Sequence, residues 1–361
     1  MNDLGKIHDE IYSVNSELLK LISRLTMLFI EINNLKNKNE TEHTEINFKE
    51  MTRNIIKCNQ GNIPDELLEK IFTTIFESTL CNLRKNYERE LLVNSKHTNH
   101  FKKINEMFNL SSDLPTIIAG PCAIESDVYL DDVAKVLKRY NIGFLRGGAY
   151  KPRTSPYDFQ GLKEEGLRIL NKVSKLYSLI SVSEVVDTRD VELMAEYIDI
   201  LQVGARNMQN YELLKEIGKS GRPVILKRGI SASIHEFIYA AEYIALQGNR
   251  NIILCERGIR TFETKTRNTL DISSIPIIKS ETNLPIIVDL SHSLGRKDII
   301  NPIAKSVLAA GADGIMVEVH PKPGLALSDS KQQLNIEEFI SLLDNLNTQV
   351  SHCNFANFPL K

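Results

Sequence analysis

The sequence predicts an α/β protein: a (β/α)8 TIM barrel preceded by a small all-α helical dimerisation domain. Three observations carry this. From Pro115 onward, eight short apolar runs alternate with helical stretches, the signature of repeated βα units. Each run leads into a chemically capable side chain, as expected where strands deliver an active site at their C-terminal ends. Ahead of them, apolar residues recur at alternating spacings of three and four from Leu4 to Leu35, the pattern of a long helix with a coiled-coil seam.

The seam consists of Leu4, Ile7, Ile11, Val14, Leu18, Leu21, Leu25, Leu28, Ile32 and Leu35. A polar run from Asn33 to Glu45 ends that helix. A second helix is expected from about Asn47 to Cys58, stopped by Asn59-Gln60-Gly61. A third starts at Pro64-Asp65-Glu66, a proline and two acids suited to a helix N-terminus, and runs through Ile71, Ile75, Phe76 and Leu80 to about Tyr87. These helices offer too little core for a monomer, so residues 1–90 read as a dimerisation domain. Residues 91–113 read as a polar linker, able to form a small hairpin or helix that closes the bottom of the barrel spanning residues 114–361.

Composition sets further bounds. A chain of 361 residues accommodates one large domain and a smaller one, and a net charge of -2 gives no nucleic-acid footprint. Cys58, Cys81, Cys122, Cys255 and Cys353 are scattered and contain no CxxC pair, which argues against a disulfide framework and for a reducing compartment. The N-terminal MNDLGKIHDE has no apolar core of a secretory signal. The most apolar segment, Leu18 to Ile32, is interrupted by Lys20, Arg24 and Glu31, so no membrane span is expected. A cytoplasmic protein is the expectation.

The eight runs are Thr116–Ala119, Ile142–Leu145, Leu179–Ser183, Ile198–Val203, Val224–Leu226, Ile252–Cys255, Pro285–Val288 and Gly314–Val317. Their ends supply Cys122, Arg146, Glu184, Arg206, Lys227, Arg257, His292 and Glu318 in turn. A doubly wound sheet is the alternative, but it would not aim all of these ends at one point. In a closed barrel the first, seventh and eighth strands are neighbours. Cys122, His292, Glu318 and, on the following loop, Asp329 would then converge. Cys122 alone could be an inert buried thiol and His292 a core imidazole, but Glu318 is harder to dismiss, because a carboxylate at the end of an apolar strand is rarely buried unpaired. Together, a thiolate, an imidazole and two carboxylates suit a borderline divalent metal such as Mn, Fe, Co or Zn.

A second set is cationic. Arg146, Lys151 and Arg153 fall within RGGAYKPRTSPYDFQG (residues 146–161), where Pro152 and Pro156 stiffen the backbone and Gly147 and Gly148 let it approach a ligand closely. Gly204-Ala205-Arg206-Asn207 is a small-residue turn able to present backbone N–H groups and a guanidinium to a phosphate. Lys227 and Arg257 complete six cations around one mouth. Salt bridging to structural acids is the alternative for each singly. For all six it would leave few acids to pair with, so a site for two phosphorylated substrates is expected.

The motifs GPCAIES, RGGAYKPRTSPYDFQGL, QVGARNMQN, LKRG, ILCERGIRTFE, DLSHS, EVHP and ALSD resemble, in this order, those of 3-deoxy-7-phosphoheptulonate (DAHP) synthase, type I beta subgroup, over roughly Leu114 to the C-terminus. The resemblance implies a transferase that condenses phosphoenolpyruvate with erythrose 4-phosphate and water, at the first step of the shikimate pathway to aromatic amino acids. It implies Cys122, His292, Glu318 and Asp329 as metal ligands. Arg146, Lys151 and Lys227 match residues around the carboxylate and reacting carbons of phosphoenolpyruvate. Ala205, Arg206 and Arg257 match its phosphate site, and Pro152, Arg153 and Thr154 the loop for erythrose 4-phosphate. Lys151, Glu184 and His292 are the expected catalytic residues. Glu184 or a water on the metal could manage the proton of the adding water, and the sequence leaves that choice open.

The three front helices resemble the all-helical chorismate mutase domain found fused ahead of such barrels. That family holds its dicarboxylate substrate with several cations, and most of those positions have changed. The expected arginines fall on His8, Leu25 and Asn47, the glutamate on Phe48 and the glutamine on Leu83, while Lys36 alone matches. Arg24 and Arg53 lie near in sequence. A pocket stripped of its cations does not compensate the desolvation of two carboxylates. The expectation is a degenerate mutase fold kept for assembly, in a homotetramer or other homo-oligomer, or for sensing chorismate or prephenate as feedback ligand.

Three readings follow. The first is a metal-dependent DAHP synthase behind an inactive front domain, with retained mutase activity as a variant. The second is an octulosonate-8-phosphate or sialic-acid type of synthase with another aldehyde, against which Lys151-Pro152-Arg153-Thr154 speaks, since the octulosonate family carries an asparagine-containing loop there. The third is a coiled-coil scaffold with a dead barrel, against which the complete metal and cation sets speak.

Overall fold

The structure, a computed structural model, describes residues 3–38, 48–59, 61, 63–86, 91–95, 101–110 and 114–350. The chain divides into two compact units, residues 1–90 and 91–361. In the first, α1 (Asp3–Lys38), α2 (Phe48–Lys57) and α3 (Asp65–Asn86) follow the three predicted helices. Asn59 ends the second helix, its side-chain amide donating to Ile63 O at 2.7 Å and to Asp65 Oδ1 at 2.8 Å, which also ties down the start of α3. Along α1 the seam faces outward: Leu4, Ile7, Ile11, Val14, Leu18, Leu21 and Leu28 are all about half exposed or more. Asn47, Tyr87 and Cys353 lie outside the described residues, as do the side chains of Lys36, Phe48, Cys81 and Leu83.

In the second unit eight parallel strands close into a barrel in sequence order, which excludes the doubly wound sheet. They are β1 (Thr116–Gly120), β2 (Phe144–Arg146), β3 (Ile180–Val185), β4 (Ile200–Val203), β5 (Val224–Lys227), β6 (Ile252–Glu256), β7 (Ile286–Asp289) and β8 (Gly314–Glu318). The strands lack polar alternation because both faces are buried. Ile118, Phe144, Val182, Ile200, Ile225, Ile253, Ile287 and Met316 fill the interior. The opposite faces pack beneath the outer helices. β2 starts later than predicted because Ile142 belongs to the preceding turn, its N–H bonding Leu137 O.

Residues 101–110 close the N-terminal end. Ile104, in the short α4 (Ile104–Met107), joins the interior cluster, and Phe108 packs edge-on against Phe144 with ring centroids 5.3 Å apart. Residues 91–95 lie along the barrel's flank, where Glu242 accepts the N–H groups of Leu92 and Val93 at 3.0 and 3.2 Å. Both stretches of the expected linker therefore belong to the barrel unit. Among the described residues no helix is long and apolar enough to cross a membrane.

Candidate active site

Strand register brings the expected ligands together. β1 pairs with β8 so that Gly120, two residues before Cys122, stands opposite Glu318. β7 pairs with the other edge of β8 and ends at Asp289, whose carboxylate caps the short helix Leu290–Leu294 by accepting the His292 N–H at 3.0 Å. Asp329 sits on the loop after β8. One ligand atom from each of Cys122, His292, Glu318 and Asp329 falls within 4.8 Å of the others. His292 Nε2 lies 3.4 Å from Glu318 Oε1 and 3.5 Å from Asp329 Oδ2, and Cys122 Sγ lies 3.5 Å from the same Asp329 oxygen.

The electrostatics are those of a cation site. Burial disfavours charge on His292, but Asp289 and Glu318 outweigh it and push the imidazole up to about 10. Burial likewise opposes ionisation of Glu318, but His292, Arg146 and Lys151 pull it down to about 2. Asp289 is held well below the usual carboxylate range by His292 and Lys227 against its own desolvation. A proton on His292 thus balances carboxylates that a metal would otherwise balance. Asp289 Oδ2, 2.8 Å from His292 Nδ1, leaves Nε2 facing the other ligands, the arrangement that orients metal-binding histidines. One soft sulfur, one imidazole and two carboxylates, all pre-aimed, fit a divalent transition metal.

Above this cluster opens a polar cavity of about 280 Å³, lined by Lys151, Pro152, Arg153, Thr154, Glu184, Ala205, Arg206, Lys227, Arg257, His292 and Asp329 among others. The β2–α6 loop, ahead of α6 (Glu164–Tyr177), is pinned at its base by Lys151 N–H to Gln160 O at 2.9 Å and Lys163 N–H to Ala149 O at 2.9 Å. Its Arg153 pairs with Asp158 at 3.2 Å and donates to Ser328 Oγ at 2.7 Å. Arg206 follows β4 in a 3-10 turn and donates to Pro152 O at 3.1 Å. Glu184 reaches the cavity from β3 and passes close to Gly204, where a Cβ would lie 2.0 Å from Glu184 Oε1 and displace the carboxylate.

Arg257 is the most telling cation. It is 6% exposed, yet among the described residues no carboxylate pairs with it, and its guanidinium reaches only the Gly258 carbonyl at 3.4 Å. Burial accordingly pushes its pKa down, with Asp289 offsetting part of the effect. A buried, unpaired guanidinium at a cavity wall is set up for an anion.

Two expectations need correction. Arg146 is not among the residues lining the cavity, and Lys227, which does line it, is paired with a buried acid. Arg146 lies beneath the cavity, Nη1 2.8 Å from Glu318 Oε1, and Lys227 is hydrogen-bonded to Asp289. Strand ends deliver acids as well as bases, and the two sets neutralise each other. The Gly147-Gly148 pair does not simply clear room for a ligand either. A Cβ at Gly148 would lie 2.6 Å from Cys122 O, and one at Gly147 2.7 Å from Ile124 Cγ1, so the glycines admit neighbouring backbone and side chain.

Sequence reading missed Asp289, Arg260, Arg267, Asn268, Gln332 and Gln333. Asp289 had a readable signal, an acid at the end of an apolar run three residues before His292. Arg260, Arg267 and Asn268 line the cavity from the loop after β6, and nothing in their spacing marks them.

A profile of the DAHP synthetase I family matches residues 100–352. Phospho-2-dehydro-3-deoxyheptonate aldolase of Thermotoga maritima is 54% identical over 231 residues, covering 64% of this chain and 68% of that protein. The crystal structure of a Thermotoga maritima protein described as phospho-2-dehydro-3-deoxyheptonate aldolase (DAHP synthase) superposes with a TM-score of 0.69 at 47% identity, covering 73% of this chain and 78% of that one. A 2-dehydro-3-deoxyphosphooctonate aldolase of Francisella philomiragia is 31% identical over 251 residues, 64% of this chain and 90% of that one. With the family profile spanning the whole barrel and both site halves, this chain belongs to the DAHP synthetase I family.

Proposed function

We propose that the chain is a metal-dependent 3-deoxy-7-phosphoheptulonate synthase, joining phosphoenolpyruvate to erythrose 4-phosphate. The observation that carries this reading is Arg257, buried with no carboxylate partner among the described residues, in a cavity that also holds Lys151, Arg153, Arg206 and Arg260. Such a cavity suits small molecules with several negative charges. In the reaction the enol carbon of phosphoenolpyruvate bonds to the aldehyde carbon, whose oxygen takes a proton. Water adds to the former enol-ether carbon, the C–O bond to phosphate breaks, and a ketone remains with free phosphate.

Cys122, His292, Glu318 and Asp329 would hold a divalent ion of the Mn, Fe, Co or Zn type, which supplies Lewis acidity toward the aldehyde oxygen. Arg257 and Arg206 receive the phosphate that leaves, with the Ala205 backbone beside them. Lys151 stays charged: burial would lower its ammonium, but Cys122, Glu184 and Glu318 raise it, so it suits the carboxylate of phosphoenolpyruvate. Glu184 lines the cavity, which supports a role for it in taking the proton of the adding water. Arg153 and Thr154 hold the aldehyde's phosphate. The free thiols of Cys58, Cys122 and Cys255 fit work in the reducing cytoplasm. For the front unit we propose assembly into a homo-oligomer through the outward seam of α1.

The test is consumption of phosphoenolpyruvate with erythrose 4-phosphate and with arabinose 5-phosphate in parallel. Turnover with the four-carbon aldehyde is expected to dominate. Preference for the five-carbon aldehyde would favour the octulosonate reading, and no turnover with either would reject both.

A further inference from the structure

Three of the four metal-type ligands are placed by the barrel itself. Glu318 ends β8, Cys122 follows β1, and His292 is clamped by Asp289 at the end of β7. Asp329 has no such support. It lies well along the loop after β8 with its backbone at φ 48, a left-handed conformation that a non-glycine residue holds only when its surroundings enforce it. The base of that loop is closed by Leu334 N–H to Glu318 O at 2.8 Å and His320 N–H to Leu334 O at 2.9 Å.

Two adjacent buried amides tie the loop to the ligands. Gln332, 5% exposed, donates from Nε2 to Glu318 Oε2 at 2.6 Å and to Asp329 Oδ2 at 3.4 Å, while its Oε1 accepts from Arg267 at 2.7 Å. The same Arg267 nitrogen reaches Asp329 Oδ2 at 3.1 Å. Gln333, fully buried, accepts the Cys122 N–H on Oε1 at 3.0 Å and donates from Nε2 to Ser328 O at 2.7 Å. One glutamine therefore joins the two carboxylate ligands, and its neighbour joins the backbone of the thiolate ligand to the residue before Asp329. An amide suits this task because it carries both donor and acceptor and adds no charge to a site already holding three anions.

We propose that Gln332 and Gln333 are positioning residues for the metal centre, fixing the Asp329 loop in register with Cys122 and Glu318. The proposal rests on the metal-dependent reading above, and its test separates the two. The full-length chain is stripped of metal and titrated with Co2+, following the thiolate-to-cobalt absorption and competition with a chelator. Gln332→Met and Gln333→Met keep approximate length and volume but remove these hydrogen bonds. Each is expected to weaken Co2+ binding about 10- to 100-fold, the usual loss when a supporting partner of a ligand is removed, and to alter the cobalt spectrum. Thermal melting of the metal-free variants is expected to remain cooperative. Gln332→Met, which leaves the tie to Cys122 in place, carries the test if Gln333→Met does not fold. Wild-type affinity and spectrum in a folded variant would overturn the proposal, as would failure of both variants to fold, since the pair would then be a folding element. Absence of Co2+ binding by the unaltered chain would overturn the metal reading and this proposal together.

Discussion

Lys151 Nζ lies 3.1 Å from the Cys122 sulfur and 3.2 Å from the Cys122 carbonyl oxygen, so a cation of the substrate cavity shares an atom with the metal-type cluster. The relationship recurs: Arg146 stands on Glu318 at 2.8 Å and Arg267 on Asp329 at 3.1 Å. Each anionic ligand thus has its own cation. The cations lower the cost of gathering three anions in a buried place, and in return their positions depend on the ligands.

Metal removal tests the cluster directly. Chelation is expected to abolish turnover, and Mn, Fe, Co or Zn to restore it. Cys122→Ser replaces the soft donor without changing shape much. It should cost more metal affinity than the roughly 10- to 100-fold loss typical of a supporting partner. Full turnover in a metal-stripped preparation would reject the assignment.

The same site predicts a pH dependence. In the metal-free protein Asp289 and Glu318 overcome burial and hold His292 protonated up to about pH 10, whereas a metal takes only the neutral ring. Binding therefore displaces a proton throughout the neutral range. Affinity should rise with pH, by about tenfold per unit from this one group, and level off as pH approaches the raised value. Equilibrium metal titrations between mildly acidic and mildly basic buffer would show the slope, and a flat profile would contradict it.

How much of this was legible follows from how each residue is placed. Cys122, Glu318 and His292 were readable because strand ends in a closed barrel fall on one face, so order along the chain fixes convergence. Asp329 was legible only as an acid on the loop after the eighth strand, and its exact placement depends on how that loop folds. The partners of Arg146, Arg267, Gln332 and Gln333 lie on other elements, and no local pattern announces a contact that tertiary register creates. The ion pairs of Arg146 and Lys227 were missed for the same reason. The strand-two boundary slipped because Ile142, apolar like its neighbours, is used to close the turn after α5 (Asp127–Arg139).

Phosphoenolpyruvate binding is expected to depend on Arg257. Arg257→Gln keeps a donor but removes the charge, and a charge-assisted hydrogen bond is worth about 1.5–3 kcal/mol, or roughly 10- to 100-fold. The KM for phosphoenolpyruvate should rise by about that factor, with kcat also reduced if the guanidinium meets the leaving phosphate. An effect confined to the aldehyde would reassign this cation.

Arg153 makes the opposite prediction. It sits on the β2–α6 loop, held by Asp158 at 3.2 Å and Ser328 at 2.7 Å, on a different wall from Arg257. Arg153→Gln should raise the KM for erythrose 4-phosphate by roughly 10- to 100-fold and leave that for phosphoenolpyruvate nearly unchanged. A change in both would mean that the loop orders the whole cavity rather than one substrate.

The front unit yields the last prediction: little or no chorismate mutase activity, together with a role in assembly. Stabilising a transition state that carries two carboxylates takes several aimed cations in a closed pocket. Here His8, Arg24 and Arg53 are exposed, and Leu25, partly buried, stands where a mid-helix arginine would be needed. The apolar seam has kept its pattern, with Leu4, Ile7, Ile11, Val14, Leu18, Leu21 and Leu28 outward on α1. Such a row in water is a liability that a second copy of the helix would remove, since burying each leucine contributes about 1.5–3 kcal/mol. Ile11→Lys with Leu18→Lys, in the full chain, is therefore expected to reduce the oligomer seen by light scattering while the barrel still consumes phosphoenolpyruvate. Loss of any response to chorismate or prephenate in the same variant would tie sensing to assembly. Robust prephenate formation by the unaltered chain would refute the degenerate reading, and an unchanged oligomer in the doubly charged variant would refute the seam.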